Sequence, residues 1–216
     1  MDAVLLDLYD TIARTRWGQL SDRITSELGV EKADLFRAYE LTRAARGVGT
    51  YGSVEGDMAA IVEAVGVDPD PALIGRLLDM ERAFSETGVE LYEDSLPVVR
   101  ELRSRGTKTA LISNCSHSTR PIVDRLALDE EFDEILLSFE VGIHKPDPGI
   151  YREALRRLGD VVPERAIFVD DQPPYCDGAA ALGIETFLID RSGDGTPDLN
   201  GHRVIQDLRA LLSVGA

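Results

Sequence analysis

Four short fragments of the chain carry side chains that can do chemistry at the end of an apolar run. In residues 3–11, four apolar residues lead into Asp7, and Thr11 follows four positions later. An apolar run that ends in a carboxylate is typical of a buried parallel strand, and ligands bind at the carboxyl ends of such strands. The three further fragments, in chain order, are Leu111–Asn114, His144–Pro148 and Ile167–Asp171.

The carboxylates that end the first and last of these fragments predict a cation site. In a parallel sheet the two strand ends can be neighbours, and clustered carboxylates then raise each other's pKa unless a cation joins them. Oxygen ligands beside a phosphate-like group suit Mg²⁺. The carboxylates expected at this edge are those of Asp7, Asp10, Asp170 and Asp171.

The four fragments, taken in order, resemble the haloacid dehalogenase-like (HAD) hydrolase superfamily. Its members carry a nucleophilic Asp, a Ser or Thr, a Lys and an acidic pair at strand ends of a Rossmann-like core. The resemblance implies that Asp7 attacks the substrate and forms a covalent aspartyl intermediate, which water then breaks. It also implies that Ser113 and Asn114 donate hydrogen bonds to the substrate, and that Lys145 neutralises the nucleophile and the bound anion.

The same resemblance implies how Mg²⁺ would be held. Asp7 and Asp171 are the implied direct ligands, and the backbone carbonyl of Tyr9 is a third. Asp170 is implied to contact the ligands and not the metal ion itself. The predicted catalytic residues are Asp7, Tyr9, Thr11, Ser113, Asn114 and Lys145. The predicted metal residues are Asp7, Tyr9, Asp170 and Asp171.

Tyr9 departs from the phosphatase pattern of this superfamily, which places a second Asp two residues after the nucleophile. A phenol with a pKa of about 10 is a poor general base at neutral pH. The superfamily's dehalogenases tolerate Tyr there, because a halide leaves without a proton, but they typically lack the acidic pair that this chain keeps. They also generally carry an Asp where this chain has Tyr175. The first motif is therefore dehalogenase-like and the last is phosphatase-like.

Three functions follow from these motifs. The leading prediction is a Mg²⁺-dependent phosphatase that acts on a small phosphorylated metabolite. The first alternative is a metal-independent 2-haloacid dehalogenase, in which one of Arg37, Arg43 and Arg46 would bind the substrate carboxylate through two hydrogen bonds. The second alternative is a catalytically inactive HAD-like protein that binds an anion or a protein partner.

The elements that must position these residues follow two different patterns. Residues 14–90 show helical spacing of apolar residues in four stretches, which predicts a helical cap inserted after the first strand. After residue 90, strands alternate with helices, which predicts a parallel sheet with helices on both faces. The predicted fold is therefore α/β, with a Rossmann-like core formed by residues 1–13 and 91–216 and an inserted helical cap formed by residues 14–90.

Composition narrows the class of partner. The chain has 39 acidic and 23 basic residues and a net charge of −16, which argues against a nucleic-acid-binding protein. The sequence shows neither a basic n-region followed by an apolar h-region nor an apolar run of membrane-spanning length, and the two cysteines do not form a CxxC pair. The expectation is a cytoplasmic protein with a small anionic substrate and no membrane partner, and its oligomeric state is left open.

Overall fold

A parallel sheet forms the centre of the molecule. The computed structural model describes residues 1–193 and 201–214. Within these residues, six strands pair in the order β5-β4-β1-β6-β7-β8, with every neighbouring pair parallel, and β2 and β3 form a separate antiparallel ribbon. The strands are β1 Ala3–Leu6, β2 Ala13–Thr15, β3 Val89–Leu91, β4 Lys108–Ser113, β5 Glu134–Leu137, β6 Ala166–Asp170, β7 Glu185–Ile189 and β8 Arg203–Ile205.

Helices fill the segments between the strands. The α-helices are α1 Trp17–Leu28, α2 Lys32–Gly47, α3 Val54–Val65, α4 Pro71–Thr87, α5 Ser95–Ser104, α6 Arg120–Arg125, α7 Leu128–Glu131, α8 Ser138–Val141, α9 Pro148–Arg157 and α10 Pro173–Ala180. The 3₁₀ turns span His117–Thr119, Pro163–Arg165 and Leu208–Ser213. No helix in the described part of the chain is both long and apolar enough to cross a bilayer.

Both faces of the sheet are covered by apolar layers, as expected for a parallel sheet. Along β1, Val4 and Leu6 belong to the layer that contains α5 and α6. Ala3 and Leu5 belong to the opposite layer, which contains α9 and α10. The alternation follows from the two-residue period of a strand. The predicted α/β, Rossmann-like fold is therefore confirmed.

The central position of β1 brings the reactive strand ends together. Leu6 pairs with Leu111 of β4 on one side and with Val169 of β6 on the other. The amide of Asp7 continues the second pairing, because it donates to the carbonyl of Val169 at 3.0 Å. The residues that follow β1 and β6 consequently meet at one edge of the sheet.

Helices α1–α4 pack around an apolar cluster of their own. This cluster includes Leu20, Leu35, Met58 and Leu77, one from each of the four helices. The separate cluster supports the interpretation of residues 14–90 as a cap, but the division into cap and core stays a prediction, and residues 194–200 and 215–216 of the predicted core lie outside the described residues.

The ends of the helical segment differ from the expectation. Ala13 pairs with Leu91 and Thr15 with Val89, so that β2 and β3 form an antiparallel ribbon where helical pattern was predicted up to residues 14 and 90. Strands of three residues carry too little periodicity to be recognised in a sequence. This ribbon pairs the beginning of the helical segment with its end.

Candidate active site

Three carboxylates meet at the carboxyl edge of the sheet. Asp7 follows β1, Asp170 ends β6, and Asp171 follows it. One oxygen from each of these carboxylates lies within 4.8 Å of the others. Asp10, which the sequence placed in the same group, is not part of this cluster and lies on a turn with φ of 55°. The predicted crowding of acidic residues therefore involves three of the four.

Lys145 reaches into this cluster and joins two of its carboxylates. Its Nζ donates to Asp7 Oδ1 at 2.5 Å and to Asp170 Oδ2 at 2.6 Å, and the lysine side chain is fully buried. The structure shows neither a lysine nor an arginine bonded to Asp171 in the described part of the chain. The internal cation therefore serves two carboxylates and leaves the third without an ion pair.

Asn114 holds the backbone of Lys145. Its Oδ1 accepts from the amide of Lys145 at 2.7 Å, and its Nδ2 donates to the carbonyl of the same residue at 2.8 Å. The predicted role of Asn114 was donation to the substrate. In the structure its amide group holds the backbone of the residue that carries the ammonium. Donation by Asn114 to the substrate stays a prediction.

Burial and mutual repulsion raise the pKa values of two of the carboxylates. Burial raises the pKa of Asp7 to about 7, although Lys145 opposes the shift. Burial, and then the charges of Asp7 and Asp170, raise the pKa of Asp171 to about 8. Burial alone would lower the pKa of Lys145, but its two carboxylate partners hold that pKa above the ordinary value. A further cation at this site would stabilise the ionised forms of these carboxylates.

The donor set fits a hard divalent cation. Asp7, Asp170 and Asp171 offer oxygen atoms, and a group of carboxylates at this separation is the kind of site that Mg²⁺ uses. Lys145 bonds only one oxygen of Asp7, so the other oxygen of Asp7 is not held by this lysine. Asp170 has both oxygens engaged, Oδ2 with Lys145 and Oδ1 with the backbone amide of Gln172. The predicted carbonyl ligand from Tyr9 remains a prediction.

Tyr9 faces the cavity but its hydroxyl is engaged. The hydroxyl shares a hydrogen bond with Thr119 Oγ1 at 3.0 Å, and burial raises the pKa of the phenol further above its ordinary value. A neutral phenol in this position cannot act as a general base at neutral pH. Thr119 was not predicted as a site residue, and nothing in its local sequence indicates that it would contact Tyr9.

Thr11 and Ser113 are both fully buried. Within the described residues, neither hydroxyl has a hydrogen-bond partner. The carbonyl of Thr11 accepts two hydrogen bonds from Arg191, at 3.0 and 2.6 Å, and Arg191 is itself paired with Asp94. Thr11 thus anchors the loop after β1 through its backbone, and the catalytic roles of both hydroxyls stay predictions.

A cavity of about 780 Å³ extends from Lys145 towards helices α2, α3 and α4. Of the three arginines considered for a substrate carboxylate, Arg43 and Arg46 line this cavity, whereas Arg37 pairs with Asp34 at the surface. Arg43 donates to the hydroxyl of Tyr175 at 3.0 Å. The apolar part of the wall includes Trp17, Phe36, Val54, Met58, Ile61, Phe84 and Ile122.

The match to a known family agrees with this geometry. The family model for haloacid dehalogenase-like hydrolases matches residues 1–183, and the chain belongs to that family. A glyceraldehyde 3-phosphate phosphatase of Methanopyrus kandleri is 32% identical over 133 residues, which cover 61% of this chain and 57% of that protein. (S)-2-haloacid dehalogenase 1 of a Pseudomonas species is 33% identical over 131 residues, which cover 60% of this chain and 55% of that protein. The chain spans about half the length of the curated relatives it matches.

Solved structures with both kinds of activity in their descriptions share the fold. A HAD phosphatase from Thermococcus onnurineus superposes with a TM-score of 0.71 and 22% identity, covering 98% of this chain and 96% of that one. A 2-haloacid dehalogenase from Pseudomonas syringae gives a TM-score of 0.73 and 23% identity, with coverage of 98% and 96%. At these identities the likeness establishes the fold and leaves the reaction open.

Proposed function

We propose that this HAD-family hydrolase is a Mg²⁺-dependent phosphatase that uses Asp7 as its nucleophile on a small phosphorylated metabolite. The observation that carries the proposal is the cluster of Asp7, Asp170 and Asp171, in which Lys145 bonds to two of the three carboxylates. Burial, and then the charges of Asp7 and Asp170, raise the pKa of Asp171. Relatives named as phosphatases, among them the glyceraldehyde 3-phosphate phosphatase, support the assignment.

In the proposed reaction, Lys145 holds Oδ1 of Asp7 and keeps the carboxylate in one orientation. The other oxygen of Asp7 attacks phosphorus, an aspartyl phosphate forms, and the bond to the leaving oxygen breaks. Water then attacks the aspartyl phosphate and releases inorganic phosphate and free Asp7. Mg²⁺, when bound by Asp7 and Asp171, would neutralise charge on the phosphoryl oxygens.

Tyr9 restricts which leaving groups this reaction can expel. Its hydroxyl is bonded to Thr119, and the phenol has a raised pKa, so Tyr9 is a poor proton donor to a departing alkoxide. Leaving groups that are weak bases need little protonation. Aryl phosphates should therefore turn over faster than alkyl phosphates.

One observation favours a second candidate, hydrolysis of a 2-haloacid. Tyr9 stands beside Asp7 without a proton-transfer role, and Arg43 lines a cavity whose wall contains many apolar side chains. In this reaction Asp7 attacks an alkyl carbon, halide leaves without a proton, and Arg43 binds the substrate carboxylate. The relative named (S)-2-haloacid dehalogenase 1 supports this reading. An inactive binding protein is the outcome if neither reaction is found.

The proposal is tested by titrating Mg²⁺ into the protein by calorimetry and by measuring phosphate release from a metabolite panel with and without Mg²⁺. We expect millimolar or tighter Mg²⁺ binding, and we expect Asp171→Asn to weaken it at least tenfold. Asp10→Asn is the matched control, because Asp10 is a neighbouring carboxylate outside the cluster, and it should bind Mg²⁺ nearly as well as the wild type. Equal weakening by both substitutions would refute the assigned ligand set.

A further inference from the structure

Three polar side chains of the helical segment, which the proposed chemistry does not use, line the cavity. Tyr39 on α2, Asp57 on α3 and Glu81 on α4 all line the cavity that Lys145 also lines. We call these three residues the distal polar group. Their convergence from three separate helices on one cavity singles them out from the surrounding apolar wall.

Two atoms of the distal polar group lack hydrogen-bond partners. Tyr39 Oη and Asp57 Oδ1 are buried, and neither has a partner in the described part of the molecule. Buried polar atoms are nearly always paired, because an unpaired one keeps the full cost of its desolvation. Two such atoms in the wall of one cavity indicate that a ligand group completes their hydrogen bonds.

Asp57 is fixed in place while one of its oxygens stays available. Its Oδ2 accepts from the backbone amide of His117 at 3.2 Å and lies 2.8 Å from Nδ1 of the same residue. The His117 ring packs against Phe139 with ring centroids 4.6 Å apart. The Asp57 carboxylate therefore cannot rotate without losing these contacts, and Oδ1 is its oxygen without a partner among the described residues.

Tyr39 is held in a similar way. Its ring makes an edge contact with Trp17, with centroids 4.8 Å apart, and the Arg46 guanidinium lies 4.8 Å from its centroid. Arg46 is itself fixed, because it donates to the carbonyl of Tyr39 at 2.9 Å and to Thr42 Oγ1 at 3.0 Å. A side chain locked by its neighbours is suited to selecting a ligand group by position.

The charges around the distal polar group favour a neutral ligand group. Burial raises the pKa of Glu81 to about 7, and Arg46 opposes this shift, so the two side chains lie close enough to interact. Asp57 already lies against the ring of His117, and Arg46 interacts with Glu81. A hydroxyl, which can donate to Asp57 and also accept from Tyr39, fits better than an ammonium.

We propose that the distal polar group binds a hydroxyl on the part of the substrate that lies against the helical segment. Met58, Ile61 and Phe84 line the wall of the same cavity, and a cavity of about 780 Å³ accommodates a ligand the size of a substituted aromatic ring. The substrate class is thus an anionic ester with an apolar body and a hydroxyl. The identity of the anion as phosphate rests on the proposed function.

The test is calorimetric binding of non-hydrolysable phosphonates to the intact protein. The probes are benzylphosphonate, its meta- and para-hydroxymethyl derivatives, and the corresponding aminomethyl derivatives. One hydroxymethyl isomer should bind the wild type about threefold to tenfold more tightly than benzylphosphonate, which is the effect of one net hydrogen bond. Tyr39→Phe should abolish that preference, and Tyr51→Phe, a change at an exposed tyrosine outside the cavity wall, should keep it.

A structural role for Tyr39 predicts a different result from a binding role. Because Tyr39 Oη has no partner in the described residues, Tyr39→Phe should leave the melting temperature unchanged or raise it. The inference would be overturned if Tyr39→Phe lowered the melting temperature or kept the hydroxymethyl preference. It would also be overturned if the wild type bound all the probes equally, bound an aminomethyl probe more tightly, or bound no probe. A hydroxymethyl preference without phosphatase turnover would overturn only the proposed function, and turnover without the preference would overturn only this inference.

Discussion

At the scale of single residues, Lys145 organises the candidate site. Its side chain is fully buried and makes two short ion pairs, and its backbone is held on both sides by Asn114. A buried charge of this kind is tolerated only because both of its carboxylate partners are in place. Lys145 therefore both stabilises the fold and neutralises charge on the two carboxylates.

We expect Lys145→Met to lower the free energy of unfolding by about 3 kcal/mol, because it leaves two buried carboxylates without their counter-ion. Urea denaturation at neutral pH measures the loss, and the variant should have no detectable turnover. Lys108→Met is the control, since Lys108 is exposed, and it should change the stability by less than about 0.5 kcal/mol. Near-wild-type stability of Lys145→Met would mean that the ion pairs contribute little to the fold.

Tyr9 gives a second prediction at this scale. If the missing proton donor limits phosphatase turnover, Tyr9→Asp should raise phosphate release from alkyl phosphates by at least about tenfold, since general acid–base catalysis is typically worth about 10²–10⁴-fold. Tyr9→Phe also removes the hydrogen bond to Thr119 but supplies no acid, so it should give no such increase. Loss of phosphatase activity in Tyr9→Asp would show that the tyrosine has a positive role in catalysis or binding.

At the scale of elements, helices α2, α3 and α4 present polar side chains to the cavity. Glu81 on α4 is only 8% exposed, and burial raises its pKa to about 7. The folded state therefore binds the carboxyl proton of Glu81 more tightly than the unfolded chain does. Between pH 4.5, the ordinary pKa, and about pH 7, the unfolded chain releases the proton first, so the wild type loses stability as the pH rises.

Glu81→Gln should remove this pH-dependent loss. The variant's unfolding free energy, compared with that of the wild type, should increase between pH 4.5 and 7 by up to about 3 kcal/mol and then level off. Glu86→Gln on the same helix is the control, because Glu86 is exposed and lies outside the cavity wall. Denaturation curves recorded across this pH range measure the difference in unfolding free energy. A difference between Glu81→Gln and the wild type that does not change with pH would contradict a buried, protonated Glu81.

At the scale of the whole molecule, the sequence predicts the sheet and the meeting of its strand ends well. The apolar runs before Asp7 and Asp170 are long enough to identify buried strands, and parallel pairing then brings their ends to one edge. The pairing of β2 with β3 and the hydrogen bond between Tyr9 and Thr119 could not be predicted in this way. Both join positions that are far apart in sequence, and neither has a local pattern that names its partner.

The helical segment shows the same limit. The spacing of apolar residues identifies four helices, but it does not determine which of their polar side chains face the cavity. That choice depends on how the helices are rotated and packed against the sheet, as the positions of Tyr39, Asp57 and Glu81 illustrate. The proposed hydroxyl site depends on this arrangement, so the sequence alone could not have predicted it.

The central claim is that the carboxylate cluster supports metal-dependent phosphate chemistry at Asp7. The most direct measurement is a paired assay on the purified protein, with phosphate release from aryl and alkyl phosphates measured with and without Mg²⁺, and chloride release from 2-chloropropionate measured alongside. We predict phosphate release that requires Mg²⁺ and disappears in Asp7→Asn, with no chloride release. Chloride release that proceeds without Mg²⁺, together with no phosphate release under any condition, would contradict the claim and identify a dehalogenase.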